Sequence, residues 1–217
     1  NLGVSSFLSE ATRAVMAVTG NHVCMRWLWA YGVAADSIVC YRFPIIFMVF
    51  NAIVQSAQPI VSYNYGCGQI GRSNQAIRLS FTYTIGFALL ITILFSCFAG
   101  SIVSLFVPDH TSPAWMYAVS GLPLFAADYV FFGINIITIG YYTSIERIKR
   151  AIALTLLRGV LPVLFFFILP ELFGTTGIWL SVAAGDFATT IIIVILLVSD
   201  RIKNGRTGKK DSQTMQP

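Results

Sequence analysis

"LSFTYTIGFALLITILFSCFAGSIVSLFV", residues 79–107, runs for 29 positions without one Asp, Glu, Lys, Arg or His. A helix of about 20 apolar residues crosses the hydrocarbon core of a bilayer, so this stretch is long enough to span it with some tilt or projection. The whole chain agrees: of 217 residues, 56% are hydrophobic and 11% charged. A soluble domain of this size needs a charged shell that these residues cannot supply. The expected fold class is therefore all-α, a polytopic membrane protein.

On either side of 79–107, further apolar runs bring the total to six expected transmembrane helices forming one bundle, at about 3–29, 37–62, 79–107, 114–142, 151–169 and 174–199. The first carries Glu10, Arg13, His22 and Arg26, so its hydropathy alone also suits an amphipathic surface helix; its length and its place before five clear spans favour insertion. The domain reading is a six-helix bundle over 1–200 and a basic tail over 201–217, "RIKNGRTGKKDSQTMQP", expected to lack regular structure.

Charge placement tests the spans independently, because Lys and Arg collect on cytoplasmic connections. Arg72 and Arg78 follow span two, and Arg147, Lys149 and Arg150 follow span four. Arg201, Lys203, Arg206, Lys209 and Lys210 follow span six. All fall on one side. The opposite connections, "AYGVAAD", "PDHTSP" and "PELFG", contain no Lys or Arg and hold Asp36, Asp109 and Glu171. Both ends of this chain are thus expected in the cytoplasm. A basic face beside anionic lipid accounts for the net charge of +5 without any nucleic-acid partner.

Cys24, Cys40, Cys67 and Cys97 are too widely spaced for a zinc site or a redox pair, and no disulfide framework or metal site is expected. Phosphate loops, HExxH and GxSxG are absent, so no enzyme is expected. The stretch "SAQPIVSYNYGCGQIGRSNQAIR", residues 56–78, places Gln58 and Pro59 about one turn before the end of span two, followed by glycines that allow a tight turn. Pro59 frees a carbonyl that Gln58 is placed to satisfy. With Pro44 near the other end, span two is expected to kink twice, either for packing or for motion, and Ser73 is the candidate N-cap of the next helix.

The order "VSSFLSEATRAVMAVTGN", then "AQPIVSYNYGCG", an arginine-containing helix start, and "GYYTSIERIKRAIALTLLRG" resembles the carboxyl-terminal half of a multidrug and toxin extrusion (MATE) transporter of the MepA-like and DinF-like bacterial branch. The likeness extends over about residues 2–200. It implies one lobe of a twelve-helix transporter in the bacterial inner membrane, whose partner would be a missing amino-terminal six-helix bundle. It also implies Na⁺ or H⁺ as coupling ion, no other cofactor, and a small-molecule drug or toxin as cargo. The start at Asn1 fits that expectation of a piece of a longer chain.

The resemblance places an acid at Glu10 in the coupling region; the alternative is a structural pair with Arg13, three residues on along the same face. Asp128 is the deepest acid, 14 residues from either end of the expected fourth span, where a lone carboxylate needs a proton, a cation or a partner. The family's acid on that helix aligns nearer Ile134, so Asp128 is a coupling candidate on depth, with a capped or paired acid as the alternative. Arg158 and Asp186 lie on the last two spans, neighbours through a short turn, and are expected to neutralise one another or to contact substrate. Asn21, Gln58, Pro59, Tyr63 and Asn64 are candidates for the substrate cavity or its gate; the resemblance supports Asn21 and Gln58, while physics alone makes them interhelical hydrogen-bonding groups. Two other readings stay open: a lipid-linked oligosaccharide flippase of the same superfamily, which needs a basic cavity, and a non-transporting membrane scaffold or truncated product.

Overall fold

The computed structural model describes residues 2–40 and 43–213. They form eight α-helices: α1 Leu2–Cys40, α2 Phe43–Gly66, α3 Ile70–Cys97, α4 Ala99–Ser104, α5 Pro113–Ala126, α6 Asp128–Ser144, α7 Ile148–Phe173 and α8 Thr175–Gln213. Helices α2, α3, α7 and α8 are each long and apolar enough to cross a bilayer, and α5 with α6 makes a fifth crossing bent by 40°. α1, the span with the most charges, packs on α7 and α5 as a wall of the same bundle. The chain is a multi-pass membrane protein of six spans.

The boundaries differ from those expected because hydropathy marks only the lipid-embedded part of a helix, while backbone hydrogen bonds carry the helix into water. α1 reaches Cys40, with a break at Trp29, where φ is 57° and ψ −156°, close to the expected end of span one. α3 begins at Ile70, not at 79, so Arg72 and Arg78 stand on its first turns. Its N-cap is Gln69; Ser73 is buried inside the helix and donates to the Val61 carbonyl at 3.4 Å. Gly68, at φ 74°, makes the reversal between α2 and α3, and the Gln69 amide donates back to the Asn64 carbonyl at 2.8 Å. Pro44 occupies the first turn of α2, where proline is at home, so no kink arises there. α8 continues as helix to Gln213 through the segment expected to be irregular. Extending an existing helix costs no nucleation, and Lys, Arg and Gln are good helix formers. The side chains beyond Ser199, with Cys40, lie outside the described residues.

The two ends of the bundle differ. Val61, Tyr142, Ile145, Ala151, Leu154 and Ile193 form a separate apolar cluster, and Ser62 donates to the Ser144 carbonyl at 3.0 Å. These contacts place the α2 to α3 turn and the α6 to α7 turn, each with its arginines, at one end. At the other end, Asp109 Oδ1 accepts from the Thr111 hydroxyl at 2.6 Å and amide at 2.9 Å, which holds its carboxyl below the usual carboxylate range.

Apolar surface alone gives helices no reason to associate in lipid; close packing through small residues does. A Cβ on Gly140 would lie 2.5 Å from Val54 of α2, on Gly133 2.6 Å from Thr84 of α3, and on Gly121 2.5 Å from the Trp179 ring of α8. On Gly159 it would lie 2.4 Å from Thr12 of α1, and on Gly185 2.4 Å from Pro162 of α7. Five helix crossings are thus set by the absence of one carbon.

Candidate functional site

The expected fourth span is broken at Ala127, between α5 and α6. Pro123, inside α5, has no N–H to donate, and the Ala126 carbonyl beside the break accepts the Thr92 hydroxyl of α3 at 2.8 Å. Asp128 is therefore the first residue of a half-helix at mid-span. It is fully buried, and no donor among the described residues reaches either carboxyl oxygen. Helical spacing puts Phe132 and Asn135 on its face.

That face looks into a cavity of about 480 Å³ bounded by α1, α2, α6, α7 and α8. Glu10, Arg13, Gln58, Asp128, Arg158 and Asp186 all line it. The structure thus collects into one volume the candidates from spans one, two, four, five and six. Three carboxylates face two guanidiniums there, leaving one negative charge uncompensated when all are ionised.

The charges sit at different depths. Glu10 accepts a hydrogen bond from Arg13 Nη2, and its side chain is 69% exposed, at the open side of the cavity. Arg158 Nε donates to Asp186 Oδ1 at 3.1 Å, with side chains 19% and 3% exposed. The first is the i, i+3 pair that spacing allows and the second joins the neighbouring last two spans, and both share one cavity. Each guanidinium also covers a ring: Arg13 lies 4.3 Å from the Phe47 centroid and Arg158 4.0 Å from that of Phe132, and the two rings meet edge to face at 6.0 Å.

Asn135 was not singled out in the sequence. It is fully buried, and its Nδ2 donates to Asp186 Oδ1 and to the Asp186 carbonyl, both at 3.0 Å. The Thr190 hydroxyl donates to Asn135 Oδ1 at 2.9 Å. Its signal was available: a polar residue seven positions from Asp128 on a transmembrane helix. Asn21, Pro59, Tyr63 and Asn64 do not line the cavity. Asn21 and Pro59 are exposed, Tyr63 is 72% exposed, and Asn64 Nδ2 donates to the Ile60 carbonyl of its own helix at 2.7 Å.

A family model described as MatE matches residues 6–168, most of the chain and all but the last span. The chain belongs to the MatE family. Among curated proteins none matches it. Its fold matches the inward-facing conformation of a multidrug resistance MATE family transporter of the MOP superfamily, with a TM-score of 0.84 and 18% identity over 94% of this chain and 47% of that one. It matches the outward-facing conformation of such a transporter with a TM-score of 0.81 and 17% identity over 88% and 43%. A MOP superfamily transporter from Pyrococcus furiosus, whose pocket is described as having reverse polarity, matches with 0.79 and 17% over 88% and 43%. At these identities the likeness is one of fold. This MatE chain spans less than half the length of the solved structures it matches.

Proposed function

We propose that the chain is the second lobe of a cation-coupled secondary antiporter that exports cationic or amphipathic drugs or toxins by alternating access, from a bacterial inner membrane with both ends of this chain in the cytoplasm. The observation that carries this is the cavity: three acids and two bases from four spans, with Asp128 buried and without a donor at the break of a helix. A buried carboxylate without a donor is costly, and one monovalent cation or one proton relieves it. A cationic cargo and a coupling cation answer the same uncompensated charge, so the two compete for it, which is the electrostatic requirement for antiport. Met16, Phe47 and Ile136, partly exposed in the lining, supply apolar wall for the rest of the cargo. Glu10, exposed at the cavity's open side, is the first acid an entering cation meets.

The flippase reading needs a basic cavity for an anionic lipid carrier. The one deep guanidinium among the described cavity residues, Arg158, is already matched to Asp186. That favours cationic cargo.

The test is drug export by the intact native polypeptide in vesicles, comparing wild type with Glu10→Gln and Asp128→Asn at equal membrane abundance. Loss of export in Asp128→Asn supports the reading, with Glu10→Gln impaired as well. Unchanged export in both removes these acids from the mechanism.

A further inference from the structure

We propose that Asn51, Gln55 and Gln58 form an amide face of the cavity that selects organic cations carrying hydrogen-bonding groups along one edge over cations of similar shape that carry none. The inference rests on the cavity being the cargo site, and it names the chemistry of the cargo.

Three amides on one transmembrane helix call for partners, since an amide within a span ordinarily bonds to a neighbouring helix. At 3.6 residues per turn, positions 51, 55 and 58 of α2 fall within about 60° of arc, over a length of roughly 10 Å. All three side chains line the cavity of about 480 Å³. Among the described residues none of the three has a hydrogen-bond partner. Gln58 reaches across to α6, where its Nε2 stands 3.7 Å from the place a Cβ on Gly140 would take, so the glycine leaves the amide room at the cavity wall.

The other polar groups of the lining are already engaged. Glu10 accepts from Arg13, and Arg158 donates to Asp186. The Thr143 and Thr155 hydroxyls donate to the carbonyls of Ile139 and Ala151 on their own helices, each at 2.9 Å. Thr12 has a partner as well. The polar side chains left without one are Asp128, on α6, and the three amides, on α2. One wall thus offers a negative charge, while another offers neutral groups that both donate and accept.

An amide in an open cavity is satisfied by water. A cargo that displaces the water has to return those hydrogen bonds or leave the amides unpaired, and unpaired polar groups are what give a hydrogen-bonding site its power to discriminate. Amino and hydroxyl substituents return them; bare alkyl and aryl surface does not. Asp128 therefore ranks cargo by charge and the α2 face ranks it by polarity.

The probe is ethidium, a flat cation with an amino group at each end of its fused ring system, compared with the analogue that lacks both amino groups. Calorimetric titration of the intact native polypeptide in micelles is expected to show ethidium binding at least about tenfold more tightly than the analogue. Gln55→Met and Gln58→Met are each expected to narrow that ratio, and the double variant to bring it within about twofold, chiefly by weakening ethidium. Partition into the micelle is common to all variants and cancels in the comparison. A ratio near one in the wild type, or one that survives intact in the double variant, overturns the amide face. A merely structural role lowers both affinities together and leaves the ratio, which is the same refutation. Gln55 is exposed, so its single variant carries the test if the double variant fails to fold. Absence of binding by both cations overturns the amide face too. Vesicle export separates the two readings. If the ratio behaves as expected while neither cation is exported, the exporter reading falls and the amide face stands; export of both cations with equal apparent affinity overturns the amide face and leaves the exporter.

Discussion

Replacing Arg158 by Met keeps most of the stem and deletes the guanidinium, with consequences for both of its neighbours. Asp186, 3% exposed, loses the 3.1 Å bond from Nε, and Phe132 loses its cation at 4.0 Å. Asp186 then keeps only the Asn135 amide as a side-chain donor. Removing one partner of a buried ion pair costs about 3–5 kcal/mol. In Arg158→Met/Asp186→Asn neither charge remains, and the new amide oxygen still accepts from Asn135. The loss is one cation–π contact, about 0.5–2 kcal/mol, so the double variant is expected to be more stable than the single Arg variant. The double and single variants are then expected to differ by about 2 kcal/mol, roughly thirtyfold in the unfolding equilibrium. Equilibrium unfolding of the purified native polypeptide in mixed micelles measures it. A single variant within about 1 kcal/mol of wild type, or a double variant less stable than the single, would refute the claim that the pair is dry and mutually dependent. Vesicle transport supplies the functional half: the double variant is expected to stay folded yet lose drug export driven by an ion gradient. Normal export would reduce Arg158 and Asp186 to structural roles.

Packing gives a second contrast. Gly185→Ala puts a Cβ 2.4 Å from Pro162 and is expected to lower stability by about 1–3 kcal/mol, whereas Gly86→Ala, with nothing within 4 Å, is expected to raise it by up to about 1 kcal/mol. Thermal unfolding in one detergent compares them. For topology, a variant keeping only Cys67, exposed in the α2 to α3 turn, is expected to react with a membrane-impermeant maleimide in inside-out vesicles and not in intact cells. The opposite labelling would invert the bundle.

Residues 79–107 settle membrane insertion because 29 positions without a formal charge admit no other environment, and the one-sided arginines settle which turns share an end. The positions of the breaks were harder to read. Pro123 and Pro59 both lie inside apolar runs, yet the span breaks four residues after Pro123 while α2 runs continuously through Pro59. The difference lies in the neighbours, such as Thr92 bonding Ala126, which a single helix's sequence does not contain. The acids were legible one at a time, since each mid-span carboxylate demands an explanation. Their assembly was not, because Glu10 and Asp186 are 176 residues apart and hydropathy carries no information about which helix faces which. Asn135 escaped notice for a related reason: an amide in a span is unremarkable until Asp186 is found 3.0 Å away.

The two buried acids of the cavity stand on elements of different rigidity. α7 and α8 approach so closely at Gly185 and Pro162 that Arg158 and Asp186 are held by backbone packing as well as by their own contact. Asp128 instead begins α6, which meets α5 at a 40° bend where the helical ladder is interrupted. A displacement of α6 about Ala127 therefore changes the Asp128 to Asp186 separation before it changes the Arg158 to Asp186 contact. Two ionised carboxyls lining one cavity repel, and a cation or a proton there offsets that repulsion. The bend of the fourth span and the charge held in the cavity are thus linked by electrostatics, where each deep charge except that of Asp128 already has an opposite at hand.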